Sequence, residues 1–152
     1  MSGSRLAVMV NGLPGRMATE VATRVRRSDR FDLVLLSFCS EKQTTRAVLV
    51  EQTAIELVKP AAREDVLKSL PSGVVVVDYT KPDAADPNAE FYDKHGLPFV
   101  MGTTGGNRAA MEAAIRASQT CAVIAPNMAK PIVTLLAMMK FAAETFPNAF
   151  RG

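Results

Sequence analysis

The stretch Arg5-Leu6-Ala7-Val8-Met9-Val10-Asn11-Gly12-Leu13-Pro14-Gly15-Arg16-Met17-Ala18 changes its pattern partway along. Residues 5–10 are a short apolar, β-prone run that ends at Asn11-Gly12. Beyond Gly15 the apolar positions Met17, Val21, Ala22 and Val25 recur every three or four residues with charged residues between them, which is the period of a helix. The stretch therefore reads as strand, tight glycine turn and helix. Gly12, Gly15 and Ala18 keep the spacing of a dinucleotide fingerprint in relaxed form. The first permits the turn, the second lets the backbone approach a pyrophosphate, and the small third residue lets helix and sheet pack closely. Amide groups at the helix N-terminus would meet phosphates with a favourable dipole, and Arg16 adds a charged hydrogen-bonding fork. Pro14 stands where such loops often carry glycine, so the motif alone also fits a plain strand-to-helix turn.

Working outward, Ser28-Asp29-Arg30 punctuates the chain and residues 32–39 form a second continuous apolar strand, as expected of a strand covered on both faces. Residues 47–58 suggest short strands or a hairpin, without a periodicity that decides between them. A short helix over 63–70 precedes the β-rich run Val74-Val75-Val76-Val77, which ends in the loop Asp78-Tyr79-Thr80-Lys81-Pro82. A helix over 84–94, closed by His95-Gly96, leads to a strand at 98–101 and a second glycine loop, Gly102-Thr103-Thr104-Gly105-Gly106. A helix over 108–118, a strand over 121–125 and a strongly apolar helix over 132–146 complete the order. This alternation predicts an α/β fold, a Rossmann-like, doubly wound, mostly parallel sheet. The last helix is apolar enough to require a partner surface. Either another chain covers that helix, or the sequence is truncated.

Composition narrows the function. The 152 residues, 48% of them apolar, suit one core. A net charge of +3 arises from 18 basic and 15 acidic residues, interspersed except at Arg24, Arg26, Arg27 and Arg30; with no Trp and two Tyr, this argues against nucleic acid as a partner. Cys39 and Cys121, in or beside apolar strand-like runs, are expected to be buried, reduced thiols, and no metal-ligand spacing is present. His95 is the single histidine, which weighs against a Ser-His-Asp triad, and its place in a polar turn predicts a solvated helix cap. No apolar run reaches the ~18 residues of a membrane span. Met1-Ser2-Gly3-Ser4 is small and polar, so any targeting segment is expected to be absent or removed.

The end of the second strand reads Ser37-Phe38-Cys39-Ser40-Glu41-Lys42, with hydroxyls where an NAD-selective site carries its carboxylate. Ser37 would not repel a 2′-phosphate, and Lys42 or Arg46 would neutralise one, so NADPH is expected in preference to NADH. The loops at 78–81 and 102–105 would lie at the carboxyl edge of the sheet, where Thr80, Thr103 and Thr104 offer hydroxyl and N–H groups to a nicotinamide. Asp78 reads as structural. No residue stands out as a proton donor or as a metal ligand.

The strand-turn-helix Val10-Asn11-Gly12-Leu13-Pro14-Gly15-Arg16-Met17, the loop Val77-Asp78-Tyr79-Thr80-Lys81-Pro82 and the run Phe99-Val100-Met101-Gly102-Thr103-Thr104-Gly105-Gly106 together resemble dihydrodipicolinate reductase, also called 4-hydroxy-tetrahydrodipicolinate reductase. The segments Ala122 to Lys130 and Phe146 to Phe150 resemble its plant-type branch. The resemblance covers nearly the whole chain. It implies reduction by NADPH or NADH of a cyclic unsaturated dicarboxylate, derived from aspartate semialdehyde and pyruvate, in lysine and diaminopimelate biosynthesis. It also implies cofactor contacts along Gly12, Leu13, Pro14, Gly15, Arg16 and Met17, with Thr80, Gly102, Thr103 and Thr104 nearer the nicotinamide and Asn127 at the hinge. The resemblance implies a dinucleotide-binding domain over 1–127 and, over 128–152, the hinge and first helix of the family's α+β substrate domain, whose His-His-x-x-Lys-like region and Pro-Ser-Gly-Thr-like anion loop would lie beyond Gly152. The chain alone is thus expected to be catalytically incomplete, and to act as a homo-oligomer when full length or as a subunit of a larger complex. A plastid stroma is implied for a plant or alga, a cytoplasm otherwise. The other reading is a non-catalytic, reductase-like subunit with a role in assembly.

Overall fold

In the computed structural model, residues 5–125 and 127–147 are described. Strand β1 (Leu6–Asn11) runs through the glycine turn into helix α1 (Arg16–Arg26). Four consecutive residues of β1, Val8 to Asn11, are buried, which places the strand at the centre of a sheet covered on both faces. Their side chains alternate between two cores. Val8 and Val10 pack with Ala18, Ala22 and Val25 of α1, whereas Met9 faces the opposite core with Phe38, Tyr92 and Phe99.

Strands β2 (Phe31–Leu33), β6 (Val75–Asp78), β7 (Phe99–Met101) and β8 (Ala122–Ile124) join β1 in an all-parallel sheet of order β2-β1-β6-β7-β8. The strand order reverses at β1, so the connections that leave β1 and β6 pass to opposite faces of the sheet, to α1 and to the helix that follows β6, and a crevice forms between them at the carboxyl edge. The core facing away from α1 is completed by Ala85, Ala89 and Tyr92 of α3 (Ala85–Lys94) and Met111 of α4 (Arg108–Arg116). This is a doubly wound, Rossmann-like α/β fold. Asn107 caps α4, its side chain accepting from the Ala110 amide at 3.2 Å.

The expected continuous strand over 32–39 is in fact two strands. Val34 donates its amide to Val8 of β1 at 2.9 Å, and one residue later the carbonyl of Leu35 accepts from Glu56 at 2.9 Å. At that point the chain leaves the main sheet, and β3 (Leu36–Phe38) pairs with β5 (Thr53–Val58) in a second sheet of order β3-β5-β4. Uniform apolarity cannot reveal where a strand changes partner. The undecided region over 47–58 is an antiparallel hairpin of β4 (Ala47–Val50) and β5, turned by Glu51 and Gln52 at φ 46° and 66°. Helix α2 (Arg63–Val66) is a single turn flanked by 3-10 turns at Pro60–Ala62 and Leu67–Ser69.

Cys39 is buried as expected, but Cys121 is exposed, because it precedes β8, which is the edge strand of its sheet among the described residues. The apolar helix α5 (Lys130–Thr145) begins two residues earlier than its pattern suggested and buries none of its residues. Leu136, Met138 and Phe141 are 55%, 64% and 68% exposed.

Candidate functional site

The glycine turn forms one wall of the crevice between β1 and β6. Gly12 has φ +101°, and a Cβ there would lie 2.3 Å from the carbonyl oxygen of Tyr79, so the β6 loop crosses this position at backbone contact. The amide of Gly15 returns to the carbonyl of Gly12 at 2.8 Å and closes the turn. Gly15 then caps α1 with no side-chain acceptor, and the first turn of the helix holds no acidic residue. Its leading amides are left facing outward, in a field that favours an anion.

Opposite this turn lie the loops after β6 and β7. Gly102 allows the closest approach between them, since a Cβ there would sit 2.4 Å from ring carbons of Tyr79. Together the three loops enclose a cleft of about 630 Å³. Of the sequence-predicted residues, Gly15, Arg16, Met17, Thr80, Gly102, Thr103, Thr104 and Asn127 line it, joined by Tyr79, Met128 and Ala129. Gly12 and Leu13 lie beneath it, Leu13 in the core against α1. Pro14 is exposed on the turn. Ser37 is fully buried in β3, its hydroxyl without a partner among the described residues, so it offers nothing to the cleft. Lys42 is exposed in the turn that returns from Gln43 to Ser40 at 3.0 Å, and Arg46 is exposed further along.

Beneath the cleft is a buried polar cluster in which the sequence singles out Asp78, Thr80 and Thr103 but not Asn11, Asn88, Tyr92 or Arg63. The carboxylate of Asp78, 0% exposed, accepts at Oδ1 from the amide and hydroxyl of Thr80 at 2.9 and 2.7 Å and from the hydroxyl of Thr103 at 2.7 Å. Its Oδ2 accepts from the hydroxyl of Tyr92 at 2.6 Å and from Nδ2 of Asn88 at 2.9 Å. Asn11 donates to the Tyr92 oxygen at 2.8 Å and accepts from the amide of Phe38 at 2.7 Å. Burial first, and then the Asp78 carboxylate, push the Tyr92 phenol well above the ordinary tyrosine value and keep it a donor. Arg63 holds the outer end, reaching Asn88 Oδ1 at 2.9 Å and the Cys39 carbonyl at 3.3 Å while its guanidinium stacks 4.9 Å over Phe38. A signal was available in the sequence: Asn88 and Tyr92 stand four apart on one helix face, and Asn11 is a polar residue ending an apolar strand.

Among the described residues lining the cleft there is no carboxylate, histidine, cysteine or lysine. His95 lies elsewhere and is less solvated than its turn suggested. It packs 4.5 Å from the ring of Phe91, with Nε2 3.3 Å from Glu64, and its side chain is 18% exposed. The described residues contain no group of His, Cys, Asp and Glu able to hold a metal. No described helix is long and apolar enough to cross a membrane.

The family described as dihydrodipicolinate reductase, N-terminus, matches residues 6–128. A probable chloroplastic 4-hydroxy-tetrahydrodipicolinate reductase of Oryza sativa subsp. japonica is 47% identical over 148 residues, covering 95% of this chain and 45% of the rice protein. A chloroplastic 4-hydroxy-tetrahydrodipicolinate reductase of Arabidopsis thaliana is 40% identical, with 100% and 44% covered. The reductase of Enterococcus faecalis is 32% identical, with 94% and 54% covered. The chain thus spans about half the length of the curated relatives it matches. The matched residues run from β1 to the rim of the cleft at Met128, and on that match the chain belongs to the dihydrodipicolinate reductase family, whose N-terminal region it carries.

Proposed function

We propose that the chain binds NADPH across the crevice between β1 and β6, and supplies the cofactor half of a 4-hydroxy-tetrahydrodipicolinate reductase acting in lysine and diaminopimelate biosynthesis. The observation that carries this reading is the cleft itself, in which the glycine turn, the Thr80 loop and the Thr103-Thr104 loop meet at the reversal of strand order. A dinucleotide suits these residues. The uncapped start of α1 and the Arg16 side chain answer a pyrophosphate, and the glycine positions leave backbone open to it. Gly12, Leu13 and Pro14 shape this turn, while Met17, Thr80, Gly102, Thr103, Thr104 and Asn127 are proposed along the rest of the cofactor. Preference for NADPH is read from the stretch after β3, where the hydroxyl of Ser40 precedes Glu41 and the positive charges of Lys42 and Arg46 follow.

When bound, the cofactor supplies a hydride. The residues of this chain bind it, orient its ring against the threonine loops and exclude water. A proton donor and the contacts to the dicarboxylate substrate are assigned to the part that the longer relatives possess in addition, with 1–127 as the cofactor domain and 128–152 as the hinge and first helix of the next. The exposed apolar face of α5 supports that division and an oligomeric whole protein. The chloroplastic plant relatives support a plastid location for a plant protein.

The test is calorimetric titration of the folded chain with NADPH and NADH. Binding of NADPH more tightly than NADH, lost on Gly15→Asp, is the expected result. A folded chain that binds neither overturns the proposal.

A further inference from the structure

The buried cluster has a property that its distances alone do not state: the direction of each hydrogen bond in it is fixed. The amide of Phe38 can only donate, so Asn11 presents Oδ1 to it and Nδ2 to Tyr92. The Tyr92 oxygen thereby receives a proton, and its own goes to Asp78. On the other side the Arg63 guanidinium can only donate, so Asn88 turns Oδ1 to it and Nδ2 towards Asp78 and Thr80. The Thr80 hydroxyl receives from Asn88 at 3.1 Å and so gives its proton to Asp78 at 2.7 Å. Thr103 likewise spends its proton on the same oxygen at 2.7 Å. Both threonines line the cleft. What remains on their hydroxyl oxygens is lone pairs, with a carboxylate behind them.

Building on the NADPH reading above, we propose that Asp78, itself held by Tyr92 and Asn88, acts as a positioning residue that keeps the hydroxyls of Thr80 and Thr103 as obligate acceptors, making the cleft selective for the amide over the acid form of the pyridine ring. A carboxamide brings an N–H donor to those lone pairs. A ring carboxylate brings acceptors alone and a second negative charge beside Asp78. A site built to receive a donor rejects the analogue lacking it, because its own acceptors are left unpaired.

The test is calorimetric titration of the chain with three probes: NADP⁺, nicotinic acid adenine dinucleotide phosphate, and 2′-phospho-ADP-ribose, which lacks the ring. The acid form is expected to bind roughly ten- to hundredfold more weakly than NADP⁺. Thr103→Val should shrink that ratio by weakening NADP⁺ while leaving the acid form unchanged, and Thr103→Ser should restore it. Circular dichroism confirms that each variant is folded. Should Thr103→Val not fold, the ratio measured on the intact chain and on Thr103→Ser decides alone. Equal binding of amide and acid forms, or equal weakening of both by Thr103→Val, overturns the inference while leaving the cofactor reading intact. Failure of all three probes to bind overturns the cofactor reading itself.

Discussion

The Tyr92 hydroxyl donates to Asp78 Oδ2 across 2.6 Å, and so bolts helix α3 to the end of the central strand β6 directly beneath the cleft. Asp78 is in turn in register with Asn11, the last residue of β1, whose side chain reaches the same phenol. One buried hydroxyl therefore joins both strands that flank the crevice to the helix behind them.

Replacing Tyr92 by Phe keeps the ring among Phe91 and Phe99 but removes that hydroxyl. Asn11 Nδ2 loses its acceptor, and Asp78 loses one donor, in a place that water does not reach. The cost is expected to be on the order of 1–3 kcal/mol. Urea denaturation should report it as a lower midpoint with an unchanged slope. A loss of only a few tenths would mean that water enters and replaces the phenol.

The same phenol predicts how stability falls in alkali. Its folded pKa is raised, chiefly by burial and next by Asp78. The stability this contributes is fully present below the unfolded tyrosine value of about 10 and is lost as pH rises from there towards the folded value. Across that window Tyr92 should cost up to about 1.4 kcal/mol per pH unit. Denaturation curves from pH 9 to 11 should therefore fall more steeply for the native chain than for Tyr92→Phe, which lacks the titrating group. Parallel curves would count against a buried, protonated phenol.

Gly12 and Gly102 both make room for Tyr79, but in different ways, and substitution should tell them apart. A Cβ on Gly12 meets the Tyr79 backbone and also demands a residue at φ +101°, so Gly12→Ala has no side chain to displace. A loss of at least about 2 kcal/mol is expected. A Cβ on Gly102 meets the Tyr79 ring. Gly102→Ala should therefore be rescued in part by Tyr79→Ala, whereas Gly12→Ala should not. A double-mutant cycle with thermal melts measures both couplings; additive Gly102 and Tyr79 effects would place the ring elsewhere.

The glycine turn and the order of elements were legible because each is carried by a local pattern: a change of period at Gly12–Gly15, and the apolar run that became β6. The threonines of the cleft followed from their place after strands. What stayed hidden depends on pairing over long sequence distance. Nothing in residues 32–39 marks Val34-Leu35 as the point of transfer between sheets, since both partners want the same apolar residues. Ser37 has the right chemistry for a sugar or phosphate but the wrong pleat, and points into the core. Asn11, Asn88 and Tyr92 meet only because β1, β6 and α3 converge, and each in isolation is an ordinary polar residue.

Helix α5 offers the clearest separation of stability from association. Its sixteen residues bury no side chain against the sheet, and Leu136, Met138, Met139 and Phe141 are each more than half exposed. A charge introduced there removes no packing from the α/β body. Phe141→Glu should thus leave the unfolding free energy within about 0.5 kcal/mol of the native chain. An apolar face of this kind promotes association, and the same substitution weakens it by placing a carboxylate where a second surface would have to desolvate it. Sedimentation velocity over a range of concentrations should show the native chain associating and Phe141→Glu shifted towards monomer. If the variant instead unfolds as readily as a core mutant, then α5 packs against the body in solution, and the boundary proposed at residues 127 and 128 is misplaced.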